Sequence, residues 1–205
     1  MTTTMILVRH GRTAWNKEVR FRGREDLPLD HFGLRQAEAV GFRIAAEWVP
    51  TAIYTSPLRR AMQTAQAIAS ICELPVQPEP GLLDIDYGDW QGLSPAQAAG
   101  RDPDLHAAWL HAPHTVQIPG GENLGIVRER VTAMLARLLQ KHGGETIVLV
   151  GHMVVNRVLL CFVLGLGDDR FWRLRQETAA INIIEHDGQD YTLVTLNDTC
   201  HLRAL

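Results

Sequence analysis

Cysteine is scarce in this chain: three in 205 residues, at positions 72, 161 and 200. None falls in a Cys-x-x-Cys pair, so a thiolate metal site finds no support, and the thiols read as reduced packing residues. An excess of positive charge is also missing. Twenty Lys and Arg stand against 23 Asp and Glu, a formal net charge of −3, which argues against a nucleic-acid surface but leaves room for a local cationic pocket. No apolar run approaches the roughly 20 residues of a membrane span. The opening Met-Thr-Thr-Thr lacks the basic start and apolar stretch of a secretory signal. The expected setting is the cytoplasm, with neither nucleic acid nor membrane as partner; a homodimer is left open. There is no internal repeat and no low-complexity tract.

What is present is an ordinary globular composition, 46% hydrophobic and 21% charged, in a length suited to one domain, 1–205. Residues 5–10 read as a buried strand ending in Arg9-His10-Gly11, followed by a polar Gly/Arg-rich loop to about 30. Residues 33–48 carry Leu34, Ala37, Phe42, Ile44, Ala45 and Trp48 at mostly helical intervals. A short strand, 52–55, precedes Ser56-Pro57, read as a cap and first helical residue. The helix that follows to about 73 has Leu58, Ala61, Ala65 and Ile68 on its core stripe. Residues 79–122, rich in Pro, Gly, Trp, His and Asp, look like a lid-like excursion with short helices near 94–99 and 103–111. A helix over 123–142, a strand over 145–150 ending in Gly151-His152, a helix over 153–164 and strands at 180–186 and 191–197 complete the chain. This order predicts an α/β fold: a three-layer α/β/α sandwich around a mostly parallel central sheet.

Two strands thus finish with a His beside a Gly, and parallel neighbours would bring His10 and His152 to one sheet edge. Arg59 falls in the first turn of the helix after Ser56-Pro57, where unpaired N–H groups and the helix dipole favour an anion. Arg9, His10, Arg59 and His152 are therefore expected to converge. Four donors around one point match the transition state of a phosphate monoester, with its spread negative charge.

At these residues the chain resembles the histidine phosphatase superfamily, the phosphoglycerate-mutase-like proteins. The resemblance runs through Leu7-Val8-Arg9-His10-Gly11-x-Thr13-x-x-Asn16 and Gly23-Arg24-x-Asp26-x-Pro28-Leu29, with Gly33-x-x-Gln36-Ala37. It continues in Ser56-Pro57-Leu58-Arg59-Arg60-Ala61-x-Gln63-Thr64-Ala65 and Asp84-x-Asp86-x-Gly88-x-Trp90-x-Gly92. Pro119-Gly120-Gly121-Glu122 and Val148-x-Val150-Gly151-His152 close it. The resemblance implies a phosphoglycerate-mutase-like fold and a metal-independent phosphomonoesterase acting on a small phosphate ester, without a cofactor. By that analogy His10 is the nucleophile, and Arg9, Arg59 and His152 clamp the phosphoryl oxygens. Asn16, Arg22 and Gly23 join as further binding residues, and Gly11 lets the backbone pass close.

Asp84 stands where the family usually has a Glu as proton donor, so its reach is about one methylene shorter. Asp86 is its rival, because residues two apart in an extended segment face the same way. Arg12 and Arg22 also depart from the family pattern; they are either solvated loop arginines or contacts for a second anionic group on the substrate. His106, His111 and His114 lack metal-ligand spacing and read as a polar cap over the pocket. The competing functions are a cofactor-dependent mutase of the same fold and a non-catalytic phospholigand-binding module.

Overall fold

The computed structural model describes residues 1–205. In chain order the strands are β1 (Thr3–Arg9), β2 (Ala52–Thr55), β3 (Val76–Pro78), β4 (Thr146–Gly151), β5 (Ile181–His186) and β6 (Tyr191–Asp198). They form one sheet in the order β3-β2-β4-β1-β5-β6. The first four run parallel to one another, whereas β5 lies antiparallel to β1 and closes the far edge with β6 as an antiparallel hairpin. The continuous apolar runs lie where burial on both faces demands them: β1 and β4 sit side by side at the centre, Met5 opposite Ile147 and Arg9 opposite Gly151.

The helices are α1 (Ala14–Glu18), α2 (His31–Glu47), α3 (Arg59–Cys72), α4 (Pro95–Arg101), α5 (Pro103–His111), α6 (Leu124–Lys141) and α7 (Met153–Val163). Alternation along β1 divides the core. Ile6 and Val8 face α2 and α3 through Val40, Ile44, Ala61 and Ile68, while Met5 and Leu7 join the larger core with α6, α7 and the 79–122 excursion. Trp109 of α5 is buried in that larger core and meets Phe171 and Trp172 edge-on or tilted at 5.8 Å. No helix is long and apolar enough to cross a membrane.

Three local expectations are corrected. The polar loop to residue 30 contains α1, closed by a capping box between Thr13 and Asn16. Of the apolar positions on α2, Ala37 and Ile44 are buried, but Leu34 and Phe42 face outward, because Gly33, Gln36, Val40 and Gly41 make the inner face. Most consequential, α3 does not begin at Pro57. Ser56 is still tied to the sheet through its N–H to the Val150 carbonyl at 3.0 Å. Leu58 keeps an extended backbone at the N-cap, so helical geometry starts at Arg59.

Candidate active site

Because β1 and β4 are parallel and in register, their carboxyl ends deliver His10 and His152 to adjacent positions. The two rings lie 5.1 Å apart, centroid to centroid. Both are buried, and each ring's proton is assigned by the partner it has. His10 Nδ1 lies 2.7 Å from the Gly11 carbonyl, which can only accept, so Nδ1 carries the hydrogen and Nε2 keeps its lone pair. His152 is the reverse: Arg60 Nε donates to its Nδ1 at 3.2 Å, which puts the hydrogen on Nε2. That Nε2 is buried and has no partner in the protein. One imidazole thus offers a lone pair and its neighbour an N–H.

The structure brings Arg9 to this edge but not Arg59. Arg59 is exposed, and only its backbone N–H is engaged, with Asp26 Oδ1 at 2.7 Å. The residue in its expected place is Arg60, whose side chain is wholly buried. Its guanidinium donates to the carbonyls of Gly23 and Glu25, each at 2.7 Å, and to Asp84 Oδ2 at 3.2 Å, besides the bond to His152. The helix start explains the exchange. With α3 beginning at Arg59, the first helical residue points to solvent and the second points inward. The Leu58-Arg59-Arg60 sequence alone offers both guanidinium groups; only the cap's position chooses.

Gly23, expected to touch substrate, instead offers its carbonyl to Arg60 from a left-handed backbone with φ of 48°. A Cβ there would meet Gln91 Oε1 at 2.8 Å. Asn16 lines the cavity. Its Oδ1 accepts from the Thr13 N–H and hydroxyl, each at 2.9 Å, leaving its NH2 free to donate. Gly11 allows a close approach, though to backbone: a Cβ would lie 2.5 Å from the Gly33 carbonyl oxygen. Its own N–H donates to Thr64 Oγ1 at 3.1 Å. Arg9 donates to the Gln176 carbonyl, and its Nε has no partner.

The two acidic candidates separate cleanly. Asp84 is buried, 3.2 Å from Arg60 and 3.8 Å from His152 Nδ1. Asp86 is half-buried and holds the loop, accepting from Gly88 N–H at 2.9 Å and pairing with Arg24 at 3.5 Å. A brace missed by sequence reasoning grips the turn that carries Asp84. Arg130 of α6 donates to the carbonyls of Asp84 and Gly81, and Glu122 accepts the Asp86 N–H at 2.9 Å while pairing with Arg130. Arg12 is bound to Asp30 at 2.8 Å and lies over Phe32. Arg22 has no carboxylate partner within bonding distance; it reaches the carbonyls of Trp15 and Arg20, and its buried Nε is unpaired. His106 lines the cavity, but no three His, Cys, Asp or Glu side chains come together as a metal cluster.

Electrostatics set the protonation states. Burial, then Arg60, Arg9 and Arg22, hold His10 well below the ordinary imidazole range. Burial and Arg60 do the same to His152. Asp84 moves the other way, because burial raises it by more than Arg60 and Arg22 lower it. Burial, with Arg22 and Arg157 nearby, pushes Arg9 down to about 9, still charged at neutral pH. The edge therefore presents guanidinium groups, a neutral imidazole with a free lone pair and a carboxyl group whose hold on a proton is strengthened by burial.

A parallel sheet whose strand ends gather this set defines an α/β phosphoryl-transfer protein. The sequence profile of the histidine phosphatase superfamily (branch 1) matches residues 5–199, and the chain belongs to that superfamily. It is 33% identical over 198 residues to phosphoserine phosphatase 1 of Hydrogenobacter thermophilus, covering 97% of this chain and 93% of that one. It is 31% identical over 205 residues to the metal-independent phosphoserine phosphatase of Arabidopsis thaliana, covering 99% and 84%. The solved structure of Bacillus stearothermophilus YhfR superposes with a TM-score of 0.92 at 32% identity, over 98% of this chain and all of that one. The protein is a phosphatase of phosphoglycerate-mutase-like fold.

Proposed function

We propose that the protein is a one-domain phosphomonoesterase that works through a phosphohistidine on His10. In the first step the Nε2 lone pair of His10 forms a bond to phosphorus, the ester P–O bond breaks, and Asp84 gives its proton to the departing alkoxide oxygen. In the second, water attacks the phosphohistidine, Asp84 takes the water's proton, and the P–N electron pair returns to His10. Inorganic phosphate leaves and both side chains regain their starting states.

Arg9, Arg60, the His152 Nε2–H and the Asn16 amide take the phosphoryl oxygens, supplying fixed positive charge where the transition state spreads negative charge. Arg22, beside Asp84 and without a carboxylate of its own, joins them as a further cation toward phosphate rather than toward a distant carboxylate. The brace from Arg130 and Glu122 fixes the backbone at Asp84, so its shorter side chain points from a settled position. Three unpaired cysteines, at 72, 161 and 200, fit work in a reducing compartment such as the cytoplasm. Two of the relatives above bear the name of phosphoserine, which puts that ester on any first panel.

The observation that carries this reading is the opposite pair of Nδ1 contacts, His10 to the Gly11 carbonyl and His152 to Arg60 Nε, which assigns a lone pair to His10 Nε2 and an N–H to its neighbour. The test is incubation with an aryl phosphate in the presence of chelator, followed by rapid quench. An acid-labile, alkali-stable phosphoenzyme is expected from the parent and none from His10→Ala. Turnover that survives His10→Ala would overturn the mechanism.

A further inference from the structure

We propose that the cavity outside the phosphoryl cradle receives the alcohol half of the ester as a bulky, flat, apolar group. This rests on the phosphatase reading above and adds the substrate class.

The cavity measures about 480 Å³, within the ~300–1,000 Å³ range that encloses a multi-ring organic molecule. Charged and polar residues share its lining with a band of aromatic and aliphatic side chains: Phe21, Tyr87, Trp109, Trp172, Leu110 and Met153. The charged residues of the lining outside the cradle are already neutralised. Arg12 is paired with Asp30, Arg20 with Glu18 at 2.7 Å, and Glu177 with Arg175. A small zwitterion such as an amino-acid phosphate would find for its ammonium group only Asp84, held by Arg60, and Glu177, paired at the surface with Arg175, and would leave the ring faces unfilled. A flat apolar group would cover them.

His106 extends this wall. It lies on α5 at the spacing that puts it on one face with Trp109 and Leu110, and its ring packs against Trp90 at 6.1 Å between centroids.

The mouth repeats the theme. Val19, at the end of α1, and Leu110, on α5, are 60% and 48% exposed, and both line the cavity. Val19 also holds a left-handed backbone, φ 55°, which a β-branched residue adopts only under strain. Strain of this kind gathers at ligand clamps. Two exposed apolar side chains at the lips of one cavity extend its walls outward, so the body of the substrate reaches the surface.

The experiment compares primary-alcohol esters, whose leaving groups need similar help from an acid: ethyl phosphate, phosphoserine and 2-phenylethyl phosphate. The expected result is a kcat/KM for the phenylethyl ester ~30-fold above ethyl phosphate, carried mostly by KM, since apolar pocket contacts discriminate by roughly this much. Leu110→Glu should cut that ratio at least fivefold. Binding of ethylphosphonate and 2-phenylethylphosphonate, measured calorimetrically, gives the same comparison without turnover, with the phenyl compound expected to bind more tightly by a similar factor. Equal affinity for the two phosphonates, or phosphoserine turned over tenfold better than the phenylethyl ester, overturns the proposal. Those results leave the phosphohistidine reading intact, whereas hydrolysis without a His10-dependent phosphoenzyme overturns the mechanism and spares the chamber.

Discussion

The sheet edge and the 79–122 excursion do different work by different means. At the edge, His10 and His152 are placed by parallel strand register, and the groups around them are buried and bonded to backbone carbonyls: Arg60 to Gly23 and Glu25, Arg9 to Gln176. The excursion has such bonds at the turn that carries Asp84, where Arg130 holds the carbonyls of Gly81 and Asp84. The rest leans on aromatic contacts around Trp109 and on side-chain pairs such as Glu122 with Arg24 and Arg130. A backbone ladder fixes atoms to within bond length and tolerates little change. Aromatic packing and partly exposed ion pairs tolerate more. On the proposed mechanism, the reacting groups other than Asp84 thus sit where the fold is least negotiable, and most of the chamber's aromatic wall where it is most so.

Substitutions can break that contrast, and the largest effect belongs to the edge. His10→Ala should reduce kcat by ~10⁴-fold or more, in line with nucleophile removal elsewhere, measured by phosphate release. Next comes the pair that separates neighbouring arginines. Arg60→Met should cost ~10²–10³ in kcat/KM, as loss of a charged oxyanion donor does. It should also destabilise the fold, by ~3 kcal/mol or more in denaturant titration, because His152, Asp84 and the carbonyls of Gly23 and Glu25 lose their donor. Arg59→Met should stay within ~0.5 kcal/mol in stability, with activity unchanged. Equal losses at 59 and 60 would contradict the geometry.

The pH profile of kcat/KM sharpens the edge further. His10 must be neutral to attack, and its depressed pKa places the acid limb below the ordinary 6.5, activity falling as pH drops through it. Asp84 must be protonated to assist the leaving group, so activity on alkyl esters falls as pH rises past its raised pKa. Asp84→Asn should erase that alkaline limb and slow alkyl esters by ~10²–10⁴, with far less effect on an aryl ester whose leaving group needs no proton. Stability carries a related sign. Below pH 6.5 the unfolded chain gains protons that buried His10 and His152 refuse, so the melting temperature should fall with pH there.

Smaller effects test the supports and the chamber. Arg130→Met loosens the turn under Asp84 and should lower kcat on alkyl esters by about tenfold, a loss of ~1.4 kcal/mol, while sparing aryl esters. Partial rescue by Asp84→Glu in the same background would show that position, not charge, was lost. Val19→Gly relieves the left-handed strain and should raise Tm by ~2–4 °C, with a weaker preference for bulky esters as its cost.

Much of the edge was legible because its signals are local. An apolar run ending in Arg9-His10-Gly11 and another ending in Gly151-His152 announce strand ends, and a parallel sheet does the rest. The error at Arg59 arose from reading Ser56-Pro57 as a helix start, when tertiary bonding of Ser56 to Val150 delays the helix by two residues. β3 escaped notice because three residues at a sheet edge, ending in Pro78, carry too little pattern. The brace from Arg130 to Asp84 spans 46 residues, and no spacing rule in a single chain reports such a contact.

The meeting of Gly11 with Gly33 has a consequence for how such a molecule can change. The segment that follows His10 rests directly on the first turn of α2, main chain against main chain, with no room for a side chain between. Any other amino acid at either point would pry the reactive loop off its scaffold, so these positions offer selection no intermediate steps. Descendants of this enzyme can inherit new diets through their lids, but the reaction itself is handed down whole or lost.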